Sequence, residues 1–428
     1  MPGEAPTGAK SVHLAELANS AMLLMRDRRL DDASRVWSQI LSLSPDHAQA
    51  LFYLGQHALF RKDTSDARQL FQRAARADPD NPAIPLNMSF VFRAENDARS
   101  ELAALTRALT IDPYFFPALL ARGRLEERQG ETRKAARTYK DLLTIAPPDD
   151  QLTADMQQAM AHARDIIKQN ADALDAFLRV RLSGIKARNA GADLDRFAEC
   201  EGIATGRRQI FSSKASLLTF PWLPAIPFYS RAEFPWLTEL EAATSTIREE
   251  LLGALQNEGE EFKPYINHPD GAPLNQWADL NRSMDWNTFF LWKDGERVEK
   301  HCRRCPKTAA LMETLPMIDI PTLGPTVLFS ALEPRAHIPA HTGSTNVRLI
   351  VHLPLIVPPG CRFRVGNVTR EWREGEAWVF DDTIDHEAWN GSDRKRVILM
   401  IDVWNPYLQA AERELVSGLL SGMQEYYS

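Results

Sequence analysis

The sequence has few cysteines, no long apolar run and no excess of positive charge, and each shortage removes a class of protein. Cys200, Cys302, Cys305 and Cys361 are the four cysteines, too few and too scattered for a disulfide framework, which fits a reducing compartment. No stretch reaches the ~18 apolar residues of a membrane span. The start, MPGEAPTGAKSVHLAELANS, has neither the basic region, the apolar run nor the small-residue cleavage site of a secretory signal. These absences predict a cytoplasmic protein. A formal net charge of -7 and a pI near 5.9 argue against broad electrostatic capture of DNA, RNA or anionic membrane. Cys302 and Cys305 do form a CxxC in HCRRCPK. No second ligand pair follows for zinc and no βαβ setting surrounds it for redox chemistry, so it reads as structural or incidental.

What is present is a chain of 428 residues, 44% hydrophobic and 25% charged, with room for two or three well-buried domains. Pro45, Pro79, Pro113 and Pro147 recur at intervals of 34 residues, each after a stretch with helical periodicity such as LFQRAARADP. Ala33, Ala67 and Ala135 keep the same beat, where two helices approach closely, and so do the rings of Trp37, Phe71 and Tyr139. Gly55 and Gly123 repeat too, with Ser89 between them. The third unit is weaker, with Glu101 in the alanine position and Leu105 in the aromatic one. Residues 13–150 resemble the tetratricopeptide-repeat family, whose helix pairs bury their apolar faces only by stacking and leave a groove for a partner. A capping helix is expected from about Leu152 through Ile185, within a cap and linker segment spanning 151–208.

From residue 209 the composition shifts to proline, aromatic and β-branched residues, as in TFPWLPAIPFYSRAEFPWL. LEAATSTIREELLGAL predicts a helix over about Leu237–Leu255, and from Pro325 onward TVLFSAL, VRLIVHLPLIV, CRFRVG, EAWVF, HEAWN and RVILMIDVW read as short strands between turn residues. Strands at that spacing suggest a sandwich or barrel. A C-terminal helix is expected to close the domain, which runs to residue 428.

Three motifs carry chemistry: HTGSTNVRLIVHLPL, FDDTIDHEAWN and RVILMIDVWNP. With DWNTFFLW and CPKTAALMETLP upstream, they resemble the aspartyl/asparaginyl β-hydroxylase family, in its order, over about Ile210–Tyr407. The resemblance implies a multidomain α + β protein: a helical repeat solenoid followed by a double-stranded β-helix (jelly-roll, cupin-like) oxygenase domain using Fe(II), 2-oxoglutarate and O2. It makes His341 and His386 the iron ligands. Gly343 stands two residues after His341, where the commoner iron triad has an acid, and this too is the family's pattern, water being thought to take the missing place. Two distant histidines alone carry little specificity. His337 has a helical metal-pair spacing to His341, but Pro334 and Pro339 exclude a helix there.

By the same resemblance Arg396 binds the distal carboxylate of 2-oxoglutarate, a task suited to a planar guanidinium. Ser330 shares that carboxylate, Trp286 lines the pocket and His352 lies near the co-substrate's 1-carboxylate. Without the family, these would be an edge charge, a strand serine, a core aromatic and a core histidine. Alternation in VRLIVHLPL puts Arg348, Ile350 and His352 on one face, with Arg348 a catalytic candidate for clamping an acidic substrate group. Better-known members carry a second arginine where this chain has Ile350. The implied reaction hydroxylates an unactivated C–H, foremost the β-carbon of an aspartyl or asparaginyl residue in a protein or peptide held by the repeat groove. A free amino acid, a natural-product intermediate or another small acid is the alternative substrate, and a non-catalytic repeat scaffold the third reading.

Overall fold

The computed structural model describes residues 7–256 and 261–427. It divides into two compact units, Met1–Asp193 and Leu194–Ser428.

In the first unit, helices α1 (Thr7–Arg26), α2 (Leu30–Leu43), α3 (Ala48–Phe60), α4 (Thr64–Ala77), α5 (Ala83–Ala94), α6 (Ala98–Ile111), α7 (Phe116–Arg128) and α8 (Thr132–Ile145) follow one another in pairs. Two of the second helices begin by the same chemistry. Asp63 caps α4 by accepting from the Asp66 amide, and Asp97 caps α6 by accepting from the Ser100 amide. Trp37, Phe71 and Tyr139 are buried between helices, and Gly55 and Gly123 lie directly against the rings of Phe71 and Tyr139, where a Cβ would overlap them. The irregular third unit is repaired by an ion pair. Buried Glu101 accepts from Arg128 Nη2 at 2.6 Å. Helix α9 (Ala154–Arg188), capped by Thr153, closes the unit.

The second unit starts with α10 (Asp195–Ala204), within the segment expected to be cap and linker. Glu199 ties this helix to the β-rich region through Asn367 and also pairs with Arg208. The expected single helix over 237–255 is broken at Ala243 into α11 (Leu237–Ala242) and α12 (Thr244–Leu255).

Eleven strands are seen among the described residues: β1 (Lys263–Pro264), β2 (Trp286–Lys293), β3 (Glu296–Arg297), β4 (Val327–Leu332), β5 (His337–His341), β6 (Arg348–Ile356), β7 (Cys361–Val365), β8 (Val368–Glu371), β9 (Trp378–Phe380), β10 (His386–Asn390) and β11 (Arg396–Trp404). Strand structure thus begins well before Pro325, with β2 in the larger sheet. That sheet runs β1-β2-β4-β11-β6-β9, with β3 on β2, and the smaller runs β5-β10-β7-β8. From β4 onward the pairings nest: β4 with β11, β5 with β10, β6 with β9 and β7 with β8, all antiparallel. The pairs alternate between the two sheets, so the chain is one long folded-over ribbon wound into a double-stranded β-helix.

Alternation decides which side chains face the interior of that helix. In β6, Leu349, Val351 and Leu353 pack outward with Phe289, Phe329, Leu399 and Ile401 against Leu237, Leu240, Ile247 and Leu251 of α11 and α12. Arg348, Ile350 and His352 face the other way. Pro339 is tolerated in β5 because that strand is an edge with a single neighbour. The helix Ala410–Tyr427 buries Val416 and Leu420 against Ile318, Ile320, Val347 and Trp404. Cys302 and Cys305 are both buried in the outward core.

Candidate active site

The smaller sheet brings two imidazoles together. His341 on β5 stands opposite His386 on β10, with ring centroids 4.0 Å apart. Each ring is tethered to the carbonyl two residues before it: His341 Nδ1 to Pro339 O at 2.7 Å and His386 Nδ1 to Ile384 O at 3.0 Å. A carbonyl only accepts, so Nδ1 carries the proton and Nε2 of the neutral ring carries the lone pair. Burial holds both rings neutral. It pushes His341 down to about 3, with His386 beside it adding to the effect, and His386 to about 4. Neutral imidazoles oriented through Nδ1 are suited to bind a divalent metal through Nε2. Among the described residues, no group of three or more His, Cys, Asp or Glu is placed to hold a metal.

Asp382 explains Gly343. The Gly343 amide donates to Asp382 O at 2.6 Å, and a Cβ at 343 would overlap the Asp382 carboxylate. An acid at that position is sterically excluded. His337 lies outside the site, paired with Glu387 at 3.2 Å and stacked on Trp389.

The larger sheet supplies the opposite wall of a cavity of about 460 Å³, within the range of small-molecule sites. His341, His386, Arg348, Trp286, Ser330, His352 and Arg396 all line it. Trp286 Nε1 donates to Ser330 Oγ at 3.0 Å, and Arg396 Nη1 donates to Ser330 O at 3.4 Å. Arg396 is 1% exposed and its guanidinium lies 4.6 Å from the centre of the Trp372 ring. No carboxylate pairs with it among the described residues, and its Nε has no partner. Burial without an anion draws it down to about 10. His352 is boxed in by Phe363 and Phe380, its Nδ1 also lacks a partner, and burial and Arg396 together hold it neutral. This end of the cavity is a buried cation and a buried neutral histidine with hydrogen-bonding capacity unspent.

The other end differs. Arg348 is already engaged, with Nη2 donating to Asp382 Oδ2 at 2.8 Å and Nη1 to Asp402 Oδ2 at 3.3 Å. The clamp expected of Arg348 is thus an internal ion pair with two carboxylates. Sequence reasoning missed Asp382, Asp402, Tyr265 and Trp277. The centroid of Tyr265 is 4.2 Å from that of Trp286, and that of Trp277 is 4.9 Å from that of His341. The acidic pair FDD just before His386 was a signal for Asp382; Tyr265 and Trp277 come from irregular segments without one.

Residues 241–406 match the family model described as aspartyl/asparaginyl beta-hydroxylase, and residues 19–82 match that of the tetratricopeptide repeat. The aspartyl/asparaginyl beta-hydroxylase of Homo sapiens is 27% identical over 93% of this chain and 54% of its own length. The ornithine lipid ester-linked acyl 2-hydroxylase of Rhizobium tropici is 36% identical over 42% of this chain and 61% of its own. A thermophilic TPR protein from Thermus thermophilus aligns at a TM-score of 0.32 and 20% identity, covering 40% of this chain and 97% of that one. The chain spans about half the length of the mammalian relatives it matches. No helix among the described residues is long and apolar enough to cross a membrane. Tetratricopeptide repeats are here followed, in one chain, by a domain that matches the aspartyl/asparaginyl beta-hydroxylase family model.

Proposed function

We propose that the chain is an Fe(II)- and 2-oxoglutarate-dependent hydroxylase whose substrate is an aspartyl or asparaginyl residue of a protein or peptide, oxidised at its β-carbon. The observation that carries this reading is Arg396, a buried guanidinium without an anionic partner, in the same cavity as two neutral histidines oriented through Nδ1. A buried cation is costly unless an anion joins it. A dicarboxylate co-substrate supplies that anion, and it explains why Ser330 and His352 gather at the same end.

In this reading His341 and His386 hold the iron, which when bound activates O2 with 2-oxoglutarate as the reductant, giving succinate and CO2. The chain's own residues do the rest. Arg396, with Ser330 and Trp286, fixes the distal carboxylate by charge-assisted hydrogen bonding. His352, neutral and confined by aromatic rings, offers one hydrogen bond toward the 1-carboxylate. Phe363, Phe380 and Trp372 keep that end dry, strengthening every polar contact within it. The repeats are assigned to holding the peptide, the usual work of their groove. Incubation of the full chain with Fe(II), 2-oxoglutarate and candidate peptides, followed by O2, should yield succinate and a one-oxygen mass gain on one peptide. Absence of iron-dependent succinate formation would reject the reading.

A further inference from the structure

Resting on the reading of Arg396 as the co-substrate's anchor, we propose that the substrate's reacting group is uncharged, a carboxamide rather than a carboxylate, which narrows the aspartyl or asparaginyl substrate proposed above to the asparaginyl one. The inward face of the larger sheet separates the two ends of the cavity. Register places Phe290, Leu328, Met400 and His352 in one row across β2, β4, β11 and β6, and Asp402 opposite Ile350 in the next. Arg396 and Asp402 are six residues apart on β11, so their backbone positions stand ~20 Å apart along the strand. With a small dicarboxylate held at Arg396, the rest of the lining includes Phe290, Leu328, Met400 and Ile350, together with the neutral hydroxyls of Thr326, Thr342 and Ser344.

Charge there is negative or spent. Arg348 faces two carboxylates, Asp382 and Asp402, so the cluster sums to minus one when both are ionised and to zero when one is protonated. An incoming carboxylate would meet apolar side chains, neutral hydroxyls and those two acids, with no unpaired cation beyond the co-substrate's Arg396 among the described buried residues of the lining. To win Arg348 it would have to displace partners already at 2.8 and 3.3 Å. Lys293, at the end of β2, is the other cation lining the cavity, but its side chain is solvent-exposed over the Phe290 ring, with Asp294 next to it. It serves the mouth rather than the reacting group. A carboxylate desolvated without a partner is disfavoured far more than an apolar group, or than a carboxamide, whose N–H groups can donate to acids such as Asp382 and Asp402.

The test uses the full chain loaded with Mn(II) and saturated with 2-oxoglutarate, and three heptapeptide amides identical but for a central Asp, Asn or Leu, residues of nearly equal size. Binding is read from tryptophan fluorescence, since Trp277 and Trp286 line the cavity. The Asn and Leu peptides should each bind at least tenfold more tightly than the Asp peptide. Ile350→Arg, or Met400→Lys at a half-buried position should the first variant not fold, should bring that gap within threefold. Equal or tighter binding of the Asp peptide, binding of none of the three, or a gap unmoved by either substitution would overturn the proposal. Thermal protection by 2-oxoglutarate is read separately. Its absence refutes the co-substrate reading, whereas an Asp preference with 2-oxoglutarate bound refutes only this one.

Discussion

Replacing Arg396 by methionine should stabilise the ligand-free protein while abolishing its response to 2-oxoglutarate, two effects of opposite sign. The guanidinium falls from an arginine's ordinary ~12.5 to about 10 because it is buried without an anion. At ~1.36 kcal/mol per tenfold, the folded protein disfavours the cation by roughly 3 kcal/mol. For a base with a depressed folded value, this cost is fully present at neutral pH and vanishes as pH rises through about 10 toward the unfolded value. Against it stand the contact with Trp372, worth ~0.5–2 kcal/mol, and one long hydrogen bond to Ser330 O at 3.4 Å. A long, flexible apolar side chain should therefore gain about 1 kcal/mol, or ~2–4 °C in the midpoint of a unit of this size. Saturating 2-oxoglutarate at a hundred times its Kd should add ~2.7 kcal/mol to the wild type and nothing to the variant. Differential scanning calorimetry of the Mn(II)-loaded chain reads both. A variant that unfolds several kcal/mol earlier, with 2-oxoglutarate protecting both proteins equally, would refute the reasoning and make Arg396 a structural cation.

His341→Ala and His386→Ala should each lose bound metal and all iron-dependent 2-oxoglutarate turnover, with far-ultraviolet circular dichroism unchanged; retained turnover in either removes that residue from the metal site. Gly343→Ala should cost about 1–3 kcal/mol by overlap with Asp382, read by denaturant unfolding, and a neutral result would mean the Asp382 carboxylate moves freely. Gly343→Asp, for the same reason, cannot restore a missing acid. Burial raises the thiols of Cys302 and Cys305, the latter to about 12, so at pH 8 neither should react with iodoacetamide before unfolding, whereas exposed Cys200 should; equal labelling would contradict the buried placement. A shortened chain beginning at Leu194 should keep uncoupled 2-oxoglutarate turnover and lose hydroxylation of a long peptide; full activity on that peptide would leave the repeats as a docking or oligomerisation element.

The repeat half was legible because its helix pairs return the same residue types to the same contacts every 34 residues. Trp37, Phe71 and Tyr139 are buried as the period requires. The alternation of β6 was legible because one face of that strand packs on helices and the other on the cavity. Strand β2 was not read from periodicity, since Trp286–Lys293 is buried on both faces almost throughout and shows no alternation. The attachment of α10 to the second unit rests on Asn367, far along the chain. For the same reason the fate of Arg348 was hidden. Its partners lie 34 and 54 residues away, and only the winding of the two sheets brings Asp382 and Asp402 to it. Gly343 was visible as a departure from an acid-bearing triad, but the space it leaves is defined by Asp382 from another strand connection.

The most direct test follows both atoms of oxygen. The full chain with Fe(II), 2-oxoglutarate and a hydroxylatable peptide, exposed to ¹⁸O2, should place one labelled atom in succinate and the other in the peptide's new hydroxyl, and Arg396→Met should suppress both at low 2-oxoglutarate. Peptide hydroxylation without labelled succinate, or 2-oxoglutarate consumption that does not depend on iron, would contradict the assignment of the histidine pair and Arg396 to a single oxygenase site.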